Sequence, residues 1–200
     1  RLAHVDIQSK AVTFLTADKW DLDAYLMGDY ERPALSRDRK HLAYSMNEDG
    51  LSTLHLLDVS TLKSRPLRSP MPGAIRNIRW NGNSREFAFN LVCNSTPGDI
   101  YSINIKTEKV DRWTKVGISG LDLTKNAKPE LIKWKSFDQR EISGWLYRPS
   151  SKFTGKRPVI IDIHGGPDFQ FRPDFLGVKN YFINELGIAM VFPNVRGSSG

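Results

Sequence analysis

The sequence predicts an all-β amino-terminal half made of propeller blades, followed by the opening of an α/β domain, the whole incomplete at both ends. Three observations predict it: an internal repeat of short strands, a continuous β-branched run, and a helix-spaced stretch leading into a second buried run. With 200 residues, 40% of them hydrophobic and 26% charged, the chain has the composition of a folded globular protein with a core. Disorder and fibrous structure are thereby excluded.

The repeat appears when residues 32–63 are laid against residues 78–109. Lys40-His41-Leu42-Ala43-Tyr44-Ser45 falls over Arg85-Glu86-Phe87-Ala88-Phe89-Asn90 at a shift of 45, and residues 54–63 fall over residues 100–109 at a shift of 46. Each copy reads as alternating strands with polar turns: an inner strand (Leu42 to Ser45, Phe87 to Asn90), then Asn47-Glu48-Asp49-Gly50 or Thr96-Pro97-Gly98-Asp99, then a further strand. Residues 2–16 read as the closing strands of a preceding copy. A period of about 40 to 45 residues with four short strands is the pattern of a propeller blade. About two and a half blades are present, whereas closure takes about four to eight, so the missing ones are expected before Arg1. A meandering antiparallel sandwich is the alternative for this half.

After Trp113 the pattern changes. Residues 115–130 are polar, hold Gly, Lys and Asn, and read as an interdomain crossing. Two strands follow, Leu131 to Ser136 and Glu141 to Tyr147, joined by Phe137-Asp138-Gln139-Arg140 as a hairpin. Residues 158–163 form a β-branched run of the kind that is buried on both faces of a mainly parallel sheet. Phe175, Val178, Phe182 and Leu186 have helical spacing over residues 175–186, with Gly187 as C-cap. Residues 188–192 are the next buried strand. The chain starts at Arg1 without methionine and stops in a Gly/Ser loop at Gly200, as expected of an internal piece of a longer protein.

Several function classes find no support. Lys+Arg 29 against Asp+Glu 22 gives a net charge of +7, but the excess is spread along the chain, and no basic run that would track nucleic-acid phosphates occurs. Apolar runs fall far short of the roughly 18 to 20 residues that cross a bilayer, so no membrane segment is read. Cys93, the one cysteine, excludes an internal disulfide and any multi-cysteine metal site. His4, His41 and His55 have no carboxylate or cysteine at ligand spacing and read as packing or surface residues; no metal and no organic cofactor is implied. Asn94-Ser95-Thr96 fits a glycosylation sequon, a match near chance in 200 residues.

Chemistry concentrates where the first buried strand ends, at His164-Gly165-Gly166-Pro167. Open α/β sheets place their sites at the carboxyl ends of strands. In an α/β-hydrolase such a turn brings bare backbone to the substrate and points an N–H at the oxygen that becomes negative in the tetrahedral intermediate. The competing reading is a tight turn whose glycines satisfy positive φ, with His164 a structural histidine. Gly197-Ser198-Ser199-Gly200 imitates a nucleophile motif, but its second glycine comes one residue early for G-x-S-x-G, so Ser199 reads as a loop serine. Asp162 and Asp168 do not fit the residue order acyl transfer requires, and read as structural or surface residues.

These residues resemble the prolyl oligopeptidase family of serine peptidases, most closely its dipeptidyl-aminopeptidase and acylaminoacyl-peptidase type, whose members place a β-propeller before an α/β-hydrolase domain. The likeness is carried by residues 129–138, by residues 142–149, by His164-Gly165-Gly166-Pro167 with Gln170, and by Pro193-Asn194-Val195-Arg196-Gly197-Ser198-Ser199-Gly200. It implies carboxy-terminal blades over residues 1–114, the crossing over 115–130, and the amino-terminal part of an α/β-hydrolase catalytic domain over 131–200. It further implies a serine-type peptidase that hydrolyses short peptides by acyl transfer. Gly165 or Gly166 then supplies the oxyanion N–H. His164, Pro167 and Arg196 form the active-site loop, Arg196 orienting or anchoring it. Serine, aspartate and histidine of the triad are expected beyond Gly200, so that residues 1–200 alone would be inactive. Two departures from the family pattern touch turns only: Ser36-Arg37-Asp38-Arg39-Lys40 replaces a Ser-Pro-Asp-Gly-Lys turn, and Gln139 stands where Asp-Gly is common. The alternatives are an α/β-hydrolase esterase and a propeller binding protein with a degenerate hydrolase domain. The partner expected is a peptide substrate. Peptide specificity, oligomeric state and compartment cannot be read from this sequence.

Overall fold

The computed structural model describes residues 1–17, 19–23, 33–166 and 168–199. It divides into two compact units, one of Arg1–Leu91 with Asp99–Thr114 and one of Val92–Gly98 with Lys115–Gly200.

The first unit is a series of meanders. β1 (Ala3–Val5) and β2 (Val12–Phe14) form a hairpin in the register Ala3 to Phe14 and Val5 to Val12. Leu2 and Leu15 pack on Tyr44, Met46 and Leu57, while Val5, Val12 and Phe14 are exposed. β3 (Asp21–Leu22) and β4 (Ala34–Leu35) both pair with β5 (His41–Glu48), which continues through β6 (Leu51–Asp58) to β7 (Lys63–Leu67). The second sheet repeats the order: β8 (Ala74–Trp80), β9 (Glu86–Cys93), β10 (Thr96–Asn104) and β11 (Val110–Arg112) lie side by side in sequence. Alternate residues of β6 and β9 turn inward, the period of two that puts one face of a strand in the core. There Leu54, Phe87, Phe89, Leu91 and Ile103 are fully buried.

The repeat therefore has a physical form, since β5 and β9 begin at His41 and Glu86, a shift of 45. The inner strands are longer than the sequence predicts. The turn expected at Thr96-Pro97-Gly98-Asp99 is displaced to Asn94-Ser95, and residues 96–99 belong to β10. β11 pairs with Tyr101, Ser102 and Ile103 of β10, so among the described residues Pro97 lies beyond the stretch paired on that side, where a strand tolerates proline. At Ser36–Lys40, Asp38 does the work of the absent turn formers: it accepts from Ser36 Oγ at 2.6 Å and from the Lys40 amide at 3.1 Å, while Arg39 takes φ +60°.

In the second unit a short 3-10 turn (Leu123–Lys125) precedes a mixed sheet. Its strands are β12 (Pro129–Lys135), β13 (Glu141–Tyr147), β14 (Val159–Ile161) and β15 (Ala189–Asn194), in the order β12-β13-β15-β14. β13 is antiparallel to both its neighbours, whereas β14 and β15 are parallel, so a crossover containing α1 (Lys179–Asn184) joins them.

Two sequence expectations are corrected here. β14 is not buried on both faces: Val159, Ile161 and Ile163 are 54, 65 and 63% exposed. Its apolar run lies on an edge strand that pairs only with β15 among the described residues. The helix is six residues rather than residues 175–186, because Gly177 sits in the left-handed region at φ +56° and cannot open a right-handed turn. Its buried residues are Ile183 and Asn180, while Val178 is exposed. The helix ends at Asn184 with Glu185 as its C-cap, two residues before the Gly187 that the sequence predicts in that role. Gly187 takes φ +64°, the Ile188 amide donates to Phe182 O at 2.9 Å, and Arg157 donates to the Gly187 and Leu186 carbonyls.

Candidate active site

Because β14 and β15 are parallel, their carboxyl ends lie together, and the two motifs singled out in the sequence follow them. His164-Gly165-Gly166 leaves β14; Val195-Arg196-Gly197-Ser198-Ser199 leaves β15. Pro167 and Gly200 lie outside the described residues.

Side chains and amides tie the two loops together. His164 Nε2 is 2.8 Å from Ser198 Oγ, and Nδ1 is 3.0 Å from the Gly165 carbonyl. Ser198 Oγ is also 2.7 Å from the Val195 carbonyl, and the Ser199 amide donates to Asp168 O at 3.0 Å. Carbonyls only accept, so all three contacts of the His164–Ser198 group are hydrogen bonds at once when both ring nitrogens carry a proton. Asn194 pairs with Phe171 as a strand backbone would, accepting from its N–H at 2.8 Å and donating to its carbonyl at 3.1 Å.

Gly166 has φ +122°, and a Cβ built on it would lie 2.8 Å from both the ring and the amide nitrogen of Phe169. Only glycine fits this turn. Gly165 is open, with nothing within 4 Å of its Cβ position. Both glycines are exposed, and their N–H groups have no hydrogen-bond partner among the described residues. Beneath the loops Phe171 stacks on Phe192 at 3.8 Å between ring centres, and Tyr147 meets both rings edge-on. Burial pushes the Tyr147 phenol well above its ordinary range, with Asp174 and Cys93 adding to the effect. Lys179 Nζ, over the Phe192 ring, donates to Asp162 at 2.5 Å and so fastens α1 near the end of β14.

Arg196 does not reach the glycine turn. Its Nη2 is 2.7 Å from both Asp138 oxygens, and its guanidinium lies over the Phe137 ring at 5.6 Å. The Arg196 hydrogen bond holds the Asp138 carboxyl below its ordinary value. Arg196 is therefore placed as an anchor to the β12–β13 hairpin. Sequence reasoning did not single out Asp138, Ser198 or Asn194 for the contacts they make with these loops. Asn194 carried a signal, standing first in Asn-x-Arg-Gly, whereas Asp138 looked like an ordinary turn former.

Among the described residues no group of three or more His, Cys, Asp or Glu is placed to hold a metal ion, and no helix is long and apolar enough to cross a membrane. A cavity of about 990 Å³ lies between the 3-10 turn segment and α1, bounded by Leu121, Asn126 and Tyr181, and includes none of the glycine-turn residues.

No protein-family model matches the chain. It is 24% identical over 204 residues to the uncharacterized peptidase YuxL of Bacillus subtilis (strain 168), covering 98% of this chain and 30% of that protein. It is 22% identical over 201 residues to prolyl oligopeptidase A of Amanita bisporigera, covering 98% of this chain and 26% of that protein. Among solved structures, a puromycin hydrolase superposes over 99% of this chain and 30% of its own with a TM-score of 0.82 at 21% identity. A prolyl endopeptidase structure superposes over 98% of this chain and 28% of its own with a TM-score of 0.75 at 17% identity. The fold is thus that of these peptidases, and the resemblance to the prolyl oligopeptidase family read from the sequence is shown. The chain spans about 30% of the length of the relatives it matches.

Proposed function

We propose that the full-length protein is a serine-type peptidase acting on short peptides, and that the turn at Gly165 and Gly166 supplies its oxyanion donor. Residues 1–114 would be the last blades of its propeller, 115–130 the crossing, and 131–200 the opening of its α/β-hydrolase domain. The observation that carries the reading is the pair of exposed N–H groups on Gly165 and Gly166, which have no hydrogen-bond partner among the described residues and stand beside the end of a parallel strand. As a serine oxygen attacks a peptide carbonyl, the carbonyl oxygen takes up negative charge, and a fixed amide N–H aimed there stabilises that charge without reorganising. Glycine leaves room for the acyl group. His164 shapes the turn by holding the Gly165 carbonyl, and Arg196 anchors the adjacent loop to Asp138. Nucleophile, acid and base come from outside residues 1–200, which alone would hydrolyse nothing.

The test is to treat the full-length protein with a serine-directed phosphonate, locate any adduct by peptide mass, and assay aminoacyl p-nitroanilides beside p-nitrophenyl acetate. An adduct on a G-x-S-x-G serine with anilide cleavage supports the peptidase. Turnover of the acetate alone makes it an esterase, and neither adduct nor turnover leaves a binding protein. In the active enzyme Gly166→Ala keeps the N–H but cannot hold φ +122° against Phe169, and displacing the donor should lower kcat by up to about 10² to 10³, the loss typical of removing an oxyanion donor.

A further inference from the structure

The glycine turn needs something to hold it. It is exposed, has two glycines, and follows an edge strand, yet an N–H contributes to catalysis only if held within about 0.5 Å of its working position. The Gly165 carbonyl and the Gly166 N–H belong to one planar, trans peptide unit, so fixing the direction of the first fixes that of the second, on the opposite side. The carbonyl is held by His164 Nδ1 at 3.0 Å. The ring is held in turn by Ser198 Oγ at 2.8 Å from Nε2, and that oxygen lies 2.7 Å from the Val195 carbonyl of its own loop.

We infer that Ser198 is a positioning residue of the active site: through the His164 ring it orients the Gly165–Gly166 peptide, and so aims the Gly166 N–H. This rests on the peptidase reading above. Ser198 touches neither substrate nor the reacting atoms. Its effect arises because an imidazole with one nitrogen untethered can rotate about its side-chain bonds and release the carbonyl. The chain of hydrogen bonds also polarises the Gly165–Gly166 peptide, since a carbonyl that accepts makes the N–H of the same unit a better donor. Asn194, Arg196 and the Ser199 amide hold the backbone of the neighbouring loops, but none of them reaches the side chain of the turn itself. Removing the hydroxyl at position 198 should therefore loosen the donor, while the Ser198 amide still donates to the Val195 carbonyl at 3.0 Å and keeps its own loop closed.

The experiment uses the full-length protein with serine 198 intact, Ser198→Ala and Ser198→Thr, an aminoacyl p-nitroanilide that the unmodified protein cleaves, and the corresponding peptide aldehyde, which forms a tetrahedral adduct. Ser198→Ala should lower kcat about tenfold, within the range that misplacing a catalytic group produces, with KM and thermal midpoint little changed. Aldehyde affinity should fall by the same factor, and Ser198→Thr should restore most of both. Unchanged kcat and aldehyde affinity in Ser198→Ala would overturn the inference, as would a rise in KM alone or a threonine variant no better than alanine. If the unmodified protein neither cleaves the anilides nor takes up the phosphonate, the peptidase reading itself fails and this inference falls with it.

Discussion

The two meandering sheets, which lie mainly in the first unit, and the mixed sheet of the second are built by different rules. In β4–β7 and β8–β11 each strand pairs with the next in sequence, and the inward faces bring Phe87, Phe89 and Tyr101 into a continuous core. In the second unit the order β12-β13-β15-β14 requires a crossover, and among the described residues β14 has one partner strand and exposed apolar side chains. Local pairing closes short loops at small entropic cost. The crossover, in exchange, makes two neighbouring strands parallel, so that the loops leaving their carboxyl ends lie side by side. The first unit thus reads as a scaffold, and the second holds the candidate chemistry.

The difference can be broken most directly by truncating buried side chains. Phe89 is fully buried between Phe87 and Tyr101, with ring centres 6.2 and 6.1 Å away. Phe89→Ala should therefore cost about 3 to 5 kcal/mol, read as lost hydrogen-exchange protection across β8–β11 in the full-length protein. Ile161→Ala on the exposed edge of β14 should cost less than about 1 kcal/mol, as for other surface changes. An Ile161 variant as damaging as the Phe89 variant would mean that the open edge of β14 is covered in solution.

A smaller effect is expected at the end of α1. Gly187 has φ +64°, and an added Cβ would lie 2.5 Å from the Phe153 ring and 2.6 Å from Arg157 Nη2. Gly187→Ala should cost about 1 to 2 kcal/mol for the left-handed backbone alone, with the overlap adding to it. Protection should be lost around α1 and β15 while the meanders keep theirs. A loss spread evenly over both units would show that they unfold as one.

How much was legible follows from the same contrast. The period of 45 to 46 exposed the meanders because each repeat carries its own local pairing. Pro97 misled, since a proline signals a turn unless one side of its strand is unpaired, and pairing is not written in the sequence. The β-branched run at residues 158–163 likewise predicts a strand but not its place in a sheet. At the candidate site the glycines and His164 were legible as a motif. Ser198 and Asp138 were not, because their partners lie 34 and 58 residues away and only the fold brings them together.

Acid should separate the two kinds of contact with the smallest effect of all. Asp58 is bound by its own turn, accepting from Ser60 Oγ at 2.6 Å and from the amides of Ser60 and Thr61 at 2.9 Å. These bonds, Ser60's hydroxyl foremost, lower its pKa to about 2. Asp138 is lowered chiefly by a single distant partner, Arg196. Both carboxylates have folded values below the ordinary 3.8, so each contributes stability that is present above that value and lost as pH falls through the folded one. Between pH 4 and about 2, the β6–β7 turn should keep its protection until the lower end. Its loss should be local, because every partner of Asp58 is within three residues. Protonating Asp138 releases Arg196 and with it the loop after β15, so exchange should rise at residues 195–199 and at the β12–β13 hairpin together. Asp138→Asn should produce that paired rise at neutral pH and remove its acid dependence, and a rise confined to the hairpin would show that Arg196 does not anchor the loop.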